Sequence, residues 1–177
     1  MDVRLTSQDY WIGAAFAAAV SLLVGAPLLF AFRQATFQRA ALATTLASAL
    51  FWGVLATLAL VGFWEIYYQY IYPIWMRWLA PLDTLLYAVI GLGMWWLAVH
   101  LPGPPVLWFL ILGGIESLLE HLVGIYALHI LDKVPILQGV DPLPALIFAF
   151  FEYIVYWGLV AWLSLGMLKF SDWWRGG

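Results

Sequence analysis

Several ionisable side chains lie in the middle of an apolar run, 106–131, that is long enough to cross a bilayer. They are Glu116, Glu120 and His121. Glu152 lies at nearly the same depth in a second apolar run, 143–169. Because an ionisable group in hydrocarbon costs about 2.5–3.5 kcal/mol on insertion scales, chains that carry several usually place them against one another, a metal, a proton path or a bound ligand. These residues therefore mark the predicted functional site.

Acid/base chemistry is the first interpretation of this cluster. Carboxylates at mid-membrane without a Lys or Arg nearby cannot all ionise cheaply, so they either keep a proton or hold a cation between them. A protonated carboxyl group in an apolar pocket can donate its proton to an epoxide, an alkene or a carbonyl, and a second carboxylate can act as the base. The residues predicted to be catalytic are Glu116, Glu120 and Glu152.

Metal binding is the second interpretation, and the sequence leaves it open. The candidate ligands are His121, Glu116, Glu120 and Glu152, whose oxygen and imidazole donors suit iron, manganese or zinc. The chain has no Cys, which excludes a thiolate site. Di-iron sites in helical bundles use Glu-x-x-His pairs, whereas the spacing here is Glu-x-x-x-Glu-His. The known motif is therefore absent, although the donor types are suitable.

Three further residues are predicted to orient a ligand at this site. Tyr156 falls on the same helical stripe as Glu152, and Tyr87 lies on another apolar run, towards the same side of the membrane. Glu65 follows a long apolar stretch, so it belongs either to the site or to the membrane surface. Helical spacing also places Gly113 and Ser117 beside the acids, where small residues let a neighbouring helix approach closely.

Composition restricts the class of protein. The chain has 177 residues, of which 66% are hydrophobic and 10% charged, and its mean hydropathy is +0.95. These values lie far from those of soluble domains and predict an all-α integral membrane protein of a cell membrane. The net charge of -3 with scattered Lys and Arg gives no basic patch, so no nucleic acid partner is expected.

Five apolar runs of spanning length predict a bundle of five transmembrane helices within a single domain, 1–177. The runs are 11–32, 40–64, 82–99, 106–131 and 143–169. Thr6 with Asp9 predicts a capping box at the start of the first helix. Pro104 with Pro105 and Asp141 with Pro142 predict the starts of the last two, because Pro is favoured in a first turn and Asp caps free amide groups.

Orientation follows from the basic residues at the ends of these runs. One side of the five-span arrangement receives three of them and the other receives four. The first set is Arg4, Arg77 and Lys133, and the second is Arg33, Arg39, Lys169 and Arg175. Because Lys and Arg accumulate on the cytoplasmic side, this difference predicts an outside N-terminus and a cytoplasmic C-terminus.

Three functions fit the pattern. The first is a membrane-embedded enzyme or ligand-binding protein that acts on a lipophilic substrate through the carboxylate and histidine cluster. The second is a small accessory subunit of a larger membrane complex, and the third is a proton or divalent-cation transporter. The expected partners are membrane lipid, a lipophilic small molecule and either further copies of the chain or a larger complex. No nucleotide-binding, zinc-protease or nucleophile-elbow motif is present.

Overall fold

A computed structural model describes residues 6–31, 46–47, 50, 80–128, 139 and 141–176, and most of these residues lie in helices. The helices are α1 (Ser7–Ala31), α2 (Ala80–His100), α3 (Pro105–Leu122) and α4 (Pro142–Gly176), and a π-helical segment, Val123–Ala127, continues α3. No strand occurs in this part of the chain. The predicted all-α class is therefore confirmed.

Three of the helices are long and apolar enough to cross a membrane, which supports the predicted membrane protein. They are Ser7–Ala31, Pro105–Ala127 and Pro142–Trp174. The apolar part of α2, Leu85–His100, is shorter. The predicted second span, 40–64, lies outside the described residues except for Leu46, Ala47 and Leu50. The structure thus gives three spanning candidates and does not establish the five-span count.

The predicted helix starts are confirmed. The backbone N–H of Thr6 donates to Asp9 Oδ2 at 2.7 Å, and the backbone N–H of Asp9 lies 3.4 Å from Thr6 Oγ1, which is a reciprocal capping box. Asp141 Oδ1 accepts the backbone N–H of Leu143 at 3.0 Å at the start of α4. Two boundaries differ from prediction at the other ends. α4 continues beyond the predicted end at residue 169 to Gly176, because no Pro or Gly interrupts it after Gly166. The π-helical segment that continues α3 ends at Ala127, before the predicted end at residue 131.

α1 and α4 pack side by side and run in the same direction. Three hydrogen bonds join them, and residue numbers rise together along both helices. They link Asp141 N–H to Ser7 Oγ at 3.3 Å, Ser21 Oγ to Phe151 O at 2.9 Å, and Trp162 Nε1 to Val24 O at 2.9 Å. Small residues on the buried face of α1 allow this close approach. They are Ala14, Ala17, Ser21 and Gly25.

α3 runs antiparallel to both α2 and α4 and lies at the centre of the described bundle. Trp95 of α2 meets Phe109 of α3 with ring centroids 5.5 Å apart, and Ser117 Oγ of α3 donates to Ala149 O of α4 at 3.0 Å. A Cβ on Gly113 would lie 2.7 Å from Cγ of Trp157, so only glycine permits this crossing. Gly113 therefore lets α3 pack closely against the face of α4 that carries Trp157.

Large apolar side chains cover the outer surface of the helices. On α1, for example, Phe16, Leu22 and Leu23 have exposed fractions of 71%, 72% and 76%. In water such a surface would drive aggregation, whereas in a bilayer these residues face lipid chains. The polar groups of the site lie inside this apolar surface, between α2, α3 and α4.

Candidate functional site

Glu116 and Glu120 form the centre of the site, and we call them the glutamate pair. They lie one helical turn apart on α3, where side chains spaced by four residues are neighbours. Both side chains are half-buried. The predicted proximity of these two acids is therefore present in the structure.

Three donors from two other helices hold the glutamate pair. The hydroxyl groups of Tyr87 on α2 and Tyr153 on α4 both donate to Glu120 Oε2, at 2.8 Å and 3.0 Å. The indole N–H of Trp157 on α4 donates to Glu116 Oε2 at 3.2 Å. Each carboxyl group is thus anchored to a helix other than its own, and movement of α2 or α4 would change its hydrogen bonding.

Aromatic rings form the wall behind these donors. Trp157 is fully buried and stacks on Tyr87 with ring centroids 6.1 Å apart and an interplanar angle of 23°. Phe109 meets Trp157 edge-on at 5.5 Å, and Tyr156 meets Tyr87 edge-on at 5.7 Å. The predicted ligand-orienting residues Tyr87 and Tyr156 therefore belong to one aromatic cluster, in which Tyr87 also bonds to Glu120.

His121 and Glu152 face a different direction from the glutamate pair. His121 Nδ1 lies 2.8 Å from the carbonyl oxygen of Ser117, and since a carbonyl only accepts, this nitrogen carries the proton. The His121 ring meets Tyr153 edge-on at 5.9 Å. Glu152 is half-buried and interacts electrostatically with His121. These residues form a second polar group beside the first, with Tyr153 between them.

The predicted four-ligand metal set is not supported. Among the described residues, no group of three or more His, Asp or Glu side chains converges closely enough to hold a metal ion. The physical reason is helix geometry, because consecutive residues project about 100° apart. Glu120 therefore meets the hydroxyl group of Tyr87, whereas His121 Nδ1 meets the carbonyl oxygen of Ser117. The described residues therefore give no support to the predicted iron, manganese or zinc site with His121, Glu116, Glu120 and Glu152 as its ligands.

The face of α4 that forms the site is rotated from the predicted one. We expected the stripe with Ala149, Glu152 and Tyr156 to face α3, but the residues that donate to the glutamate pair are Tyr153 and Trp157. Tyr153 and Trp157 follow Ala149 at successive intervals of four residues, and this spacing was the signal that identifies them. Glu152 therefore lies about 100° around α4 from Tyr153, which faces the glutamate pair. The predicted site residue Glu65 lies outside the described residues.

No basic side chain balances the glutamate pair within the described part of the chain. Lys169 lies about 25 Å further along α4 than Glu152 at 1.5 Å per residue. The neighbours of the pair are neutral phenol and indole donors. A carboxyl pair in such surroundings can keep a proton, and it can exchange that proton with a molecule that reaches it.

Comparison with known proteins gives no relative, since no family model, curated protein or solved structure matches the chain.

Proposed function

We propose that the protein is a membrane-embedded acid/base enzyme or binding protein for a lipophilic substrate, with the glutamate pair as its reactive group. The observation that carries the proposal is the arrangement of Glu116 and Glu120, which lie one helical turn apart and accept three donors from α2 and α4. Such an arrangement costs insertion energy, and ionisable groups placed in a membrane at that cost usually serve a proton path or a bound ligand, which favours a role in binding or proton transfer.

The substrate would reach the pair from the lipid. Ile115 and Leu119 precede the two acids on α3 and have exposed fractions of 42% and 59%. The half-buried carboxyl groups thus lie at the border between the packed face of α3 and its lipid-facing side. A lipophilic molecule with a basic or electrophilic atom could approach along this border and accept a proton from the pair. Glu152 and His121 would act as the neighbouring acid and imidazole.

The test is to identify the lipophilic compounds that the protein retains. We would purify wild type, Glu120→Gln and Ser164→Ala in native lipid particles and extract each for mass spectrometry. Ser164 is the matched control because it is a buried polar residue of α4 whose hydroxyl bonds to Val160 O, away from the pair. A hydrogen bond to a charged group contributes about 1.5–3 kcal/mol, so we expect retention to fall about tenfold or more in Glu120→Gln alone.

Equal retention by all three proteins would contradict the proposal. In that case the alternatives are an accessory subunit, whose partners would co-purify with every variant, and a proton or divalent-cation transporter, whose activity would require ion flux through reconstituted vesicles. If further copies of the chain co-purify, the protein is a homo-oligomer under either alternative.

We also propose that the chain crosses the cell membrane five times with its N-terminus outside. α1, α2 and α4 run in the same direction, so Ala31 and Ala80 lie at opposite ends of the bundle, which a single crossing between them would explain. Ala47 from the predicted second span is fully buried in the main apolar cluster. Both observations support the count.

The absence of native Cys makes this topology directly testable. We expect a membrane-impermeant maleimide to label Gln8→Cys in intact cells and Gly176→Cys only after permeabilisation. Both positions are exposed at opposite ends of the bundle. Labelling of both from the same side would rule out an odd number of crossings, and a reversed pattern would invert the proposed orientation.

A further inference from the structure

The side chains at the border of the site are acids and aromatic rings. Glu116 and Glu120 of α3 and Tyr153 and Tyr156 of α4 are half-buried, so the described helices do not seal any of them. Trp157 lies behind them and is fully buried. A molecule that enters the site therefore meets two carboxyl groups and two phenol rings first.

The charges at this border favour one class of ligand. The glutamate pair bears either no charge or a negative charge, whatever number of protons it holds. Its described hydrogen-bond donors are neutral phenol and indole groups. With Glu152 the site contains three carboxyl groups and one imidazole, His121, so acids outnumber bases. In the described part of the chain, an anion would meet no Lys or Arg at the pair, whereas a cation would meet its counter-charge.

The aromatic rings favour the same charge. The face of an aromatic ring carries a negative potential and attracts a cation that lies within about 6 Å. The rings of Tyr153 and Tyr156 have centroids 5.8 Å apart and an interplanar angle of 36°, and Tyr156 also meets Trp157 edge-on at 5.0 Å. Proteins build binding sites for ammonium groups from adjacent rings of this kind. The carboxyl groups and the rings are independent features, and both select a positive charge.

We infer that the ligand of this site is a lipophilic organic cation, such as a protonated amine. The inference rests on the proposed function and names its substrate class. The approach past the lipid-exposed residues Ile115 and Leu119 requires a lipophilic molecule, and the glutamate pair with the rings of Tyr153 and Tyr156 selects its charge. A bound ammonium group makes charge-assisted contacts with the carboxyl groups and cation–π contacts with the rings, while its hydrocarbon part remains in lipid.

Two probes of similar size and opposite charge test the inference. Tetraphenylphosphonium is a cation, tetraphenylborate is an anion, and both are lipophilic. We would measure the saturable binding of each probe to the purified protein in neutral maltoside micelles by equilibrium dialysis, and subtract the uptake by protein-free micelles. We expect tetraphenylphosphonium to bind about tenfold or more tightly than tetraphenylborate, as one contact with a charged group provides. Equal binding of the two probes, or no saturable binding of the cation, would overturn the inference.

Variants test whether the pair and the rings bind the cation. Replacing Glu116 and Glu120 together by Gln should weaken tetraphenylphosphonium binding about tenfold or more, and Tyr156→Leu should weaken it about threefold or more. Tyr156→Phe keeps the ring and should recover most of the binding that Tyr156→Leu loses. Ser164→Ala is the control and should bind like wild type. Wild-type affinity in both the double Gln variant and Tyr156→Leu would refute the inference. The comparison of the two probes uses only wild type, so it stands if a variant folds poorly.

The retention experiment separates this inference from the proposed function. Retained compounds that carry no positive charge and are lost in Glu120→Gln would support the proposed function and overturn the cation class. Retained amines that are lost in the same variant would support both. Equal retention by every variant, together with tetraphenylphosphonium binding that depends on the pair, would support the cation class and contradict the retention prediction alone.

Discussion

Replacing Trp157 by Ala is expected to lower the free energy of unfolding by about 3–5 kcal/mol, the range for large aromatic residues removed from a packed core. Trp157 is fully buried and contacts three residues of the site at once. It packs on Phe109 of α3, stacks on Tyr87 of α2 and donates a hydrogen bond to Glu116. Its ring also fills the space above Gly113, where α3 and α4 cross. The variant therefore creates a cavity and removes a donor.

The measurement is equilibrium unfolding in mixed micelles, monitored by circular dichroism. Trp173→Ala is the matched control, because Trp173 lies on the same helix with an exposed fraction of 71%. Its replacement should change stability by no more than about 0.5 kcal/mol, as for surface substitutions in general. Similar losses in both variants would show that Trp157 does not hold the described helices together.

The helix starts and the central face of α3 could be predicted from the sequence because local chemistry determines them. Thr6 with Asp9 can satisfy each other's backbone groups within one turn, and Asp141 can cap its own helix, so neither needs knowledge of the tertiary structure. Gly113 and Ser117 lie among bulky residues, which marks the face of α3 that another helix can approach.

The face of α4 could not be predicted in the same way. In water the buried side of a helix is apolar and the other side is polar, which fixes the rotation of the helix. α4 carries apolar residues on both sides, as buried Val160 and exposed Leu159 show at neighbouring positions. Glu152 is the one acid in the predicted span 143–169, and the prediction therefore placed Glu152 on the face towards α3. Packing against α3 instead selects Tyr153 and Trp157.

The sequence also predicted a metal site that the described residues do not support, for a related reason. Three of the candidate ligands are close in sequence and lie within about half of the circumference of α3, namely Glu116, Glu120 and His121. Counting donor types alone therefore favours a metal site. A metal requires the donor atoms to meet at one point, which consecutive residues on a helix rarely do. The structure separates them into the glutamate pair and the group formed by His121 with Glu152.

The proposed proton at the glutamate pair can be detected by its chemical reactivity. A carbodiimide takes the proton of a carboxylic acid and is then attacked by the carboxylate to give an O-acylisourea. Water hydrolyses this adduct, whereas in an apolar site it rearranges to a stable N-acylurea that survives digestion to peptides. A lipophilic carbodiimide therefore reports both protonation and an apolar environment. Acids at the membrane surface are ionised at neutral pH and would be modified only weakly by this reagent.

The most direct measurement is peptide mass spectrometry after treatment of the protein in vesicles with a lipophilic carbodiimide. We expect modification of the glutamate pair in the wild type, reduced about tenfold or more when Glu116 and Glu120 are both replaced by Gln, whereas a water-soluble carbodiimide modifies the exposed acids, such as Asp172, instead. Absence of the lipophilic label from both Glu116 and Glu120, with efficient labelling of the pair by the water-soluble reagent, would contradict a protonated site inside the membrane.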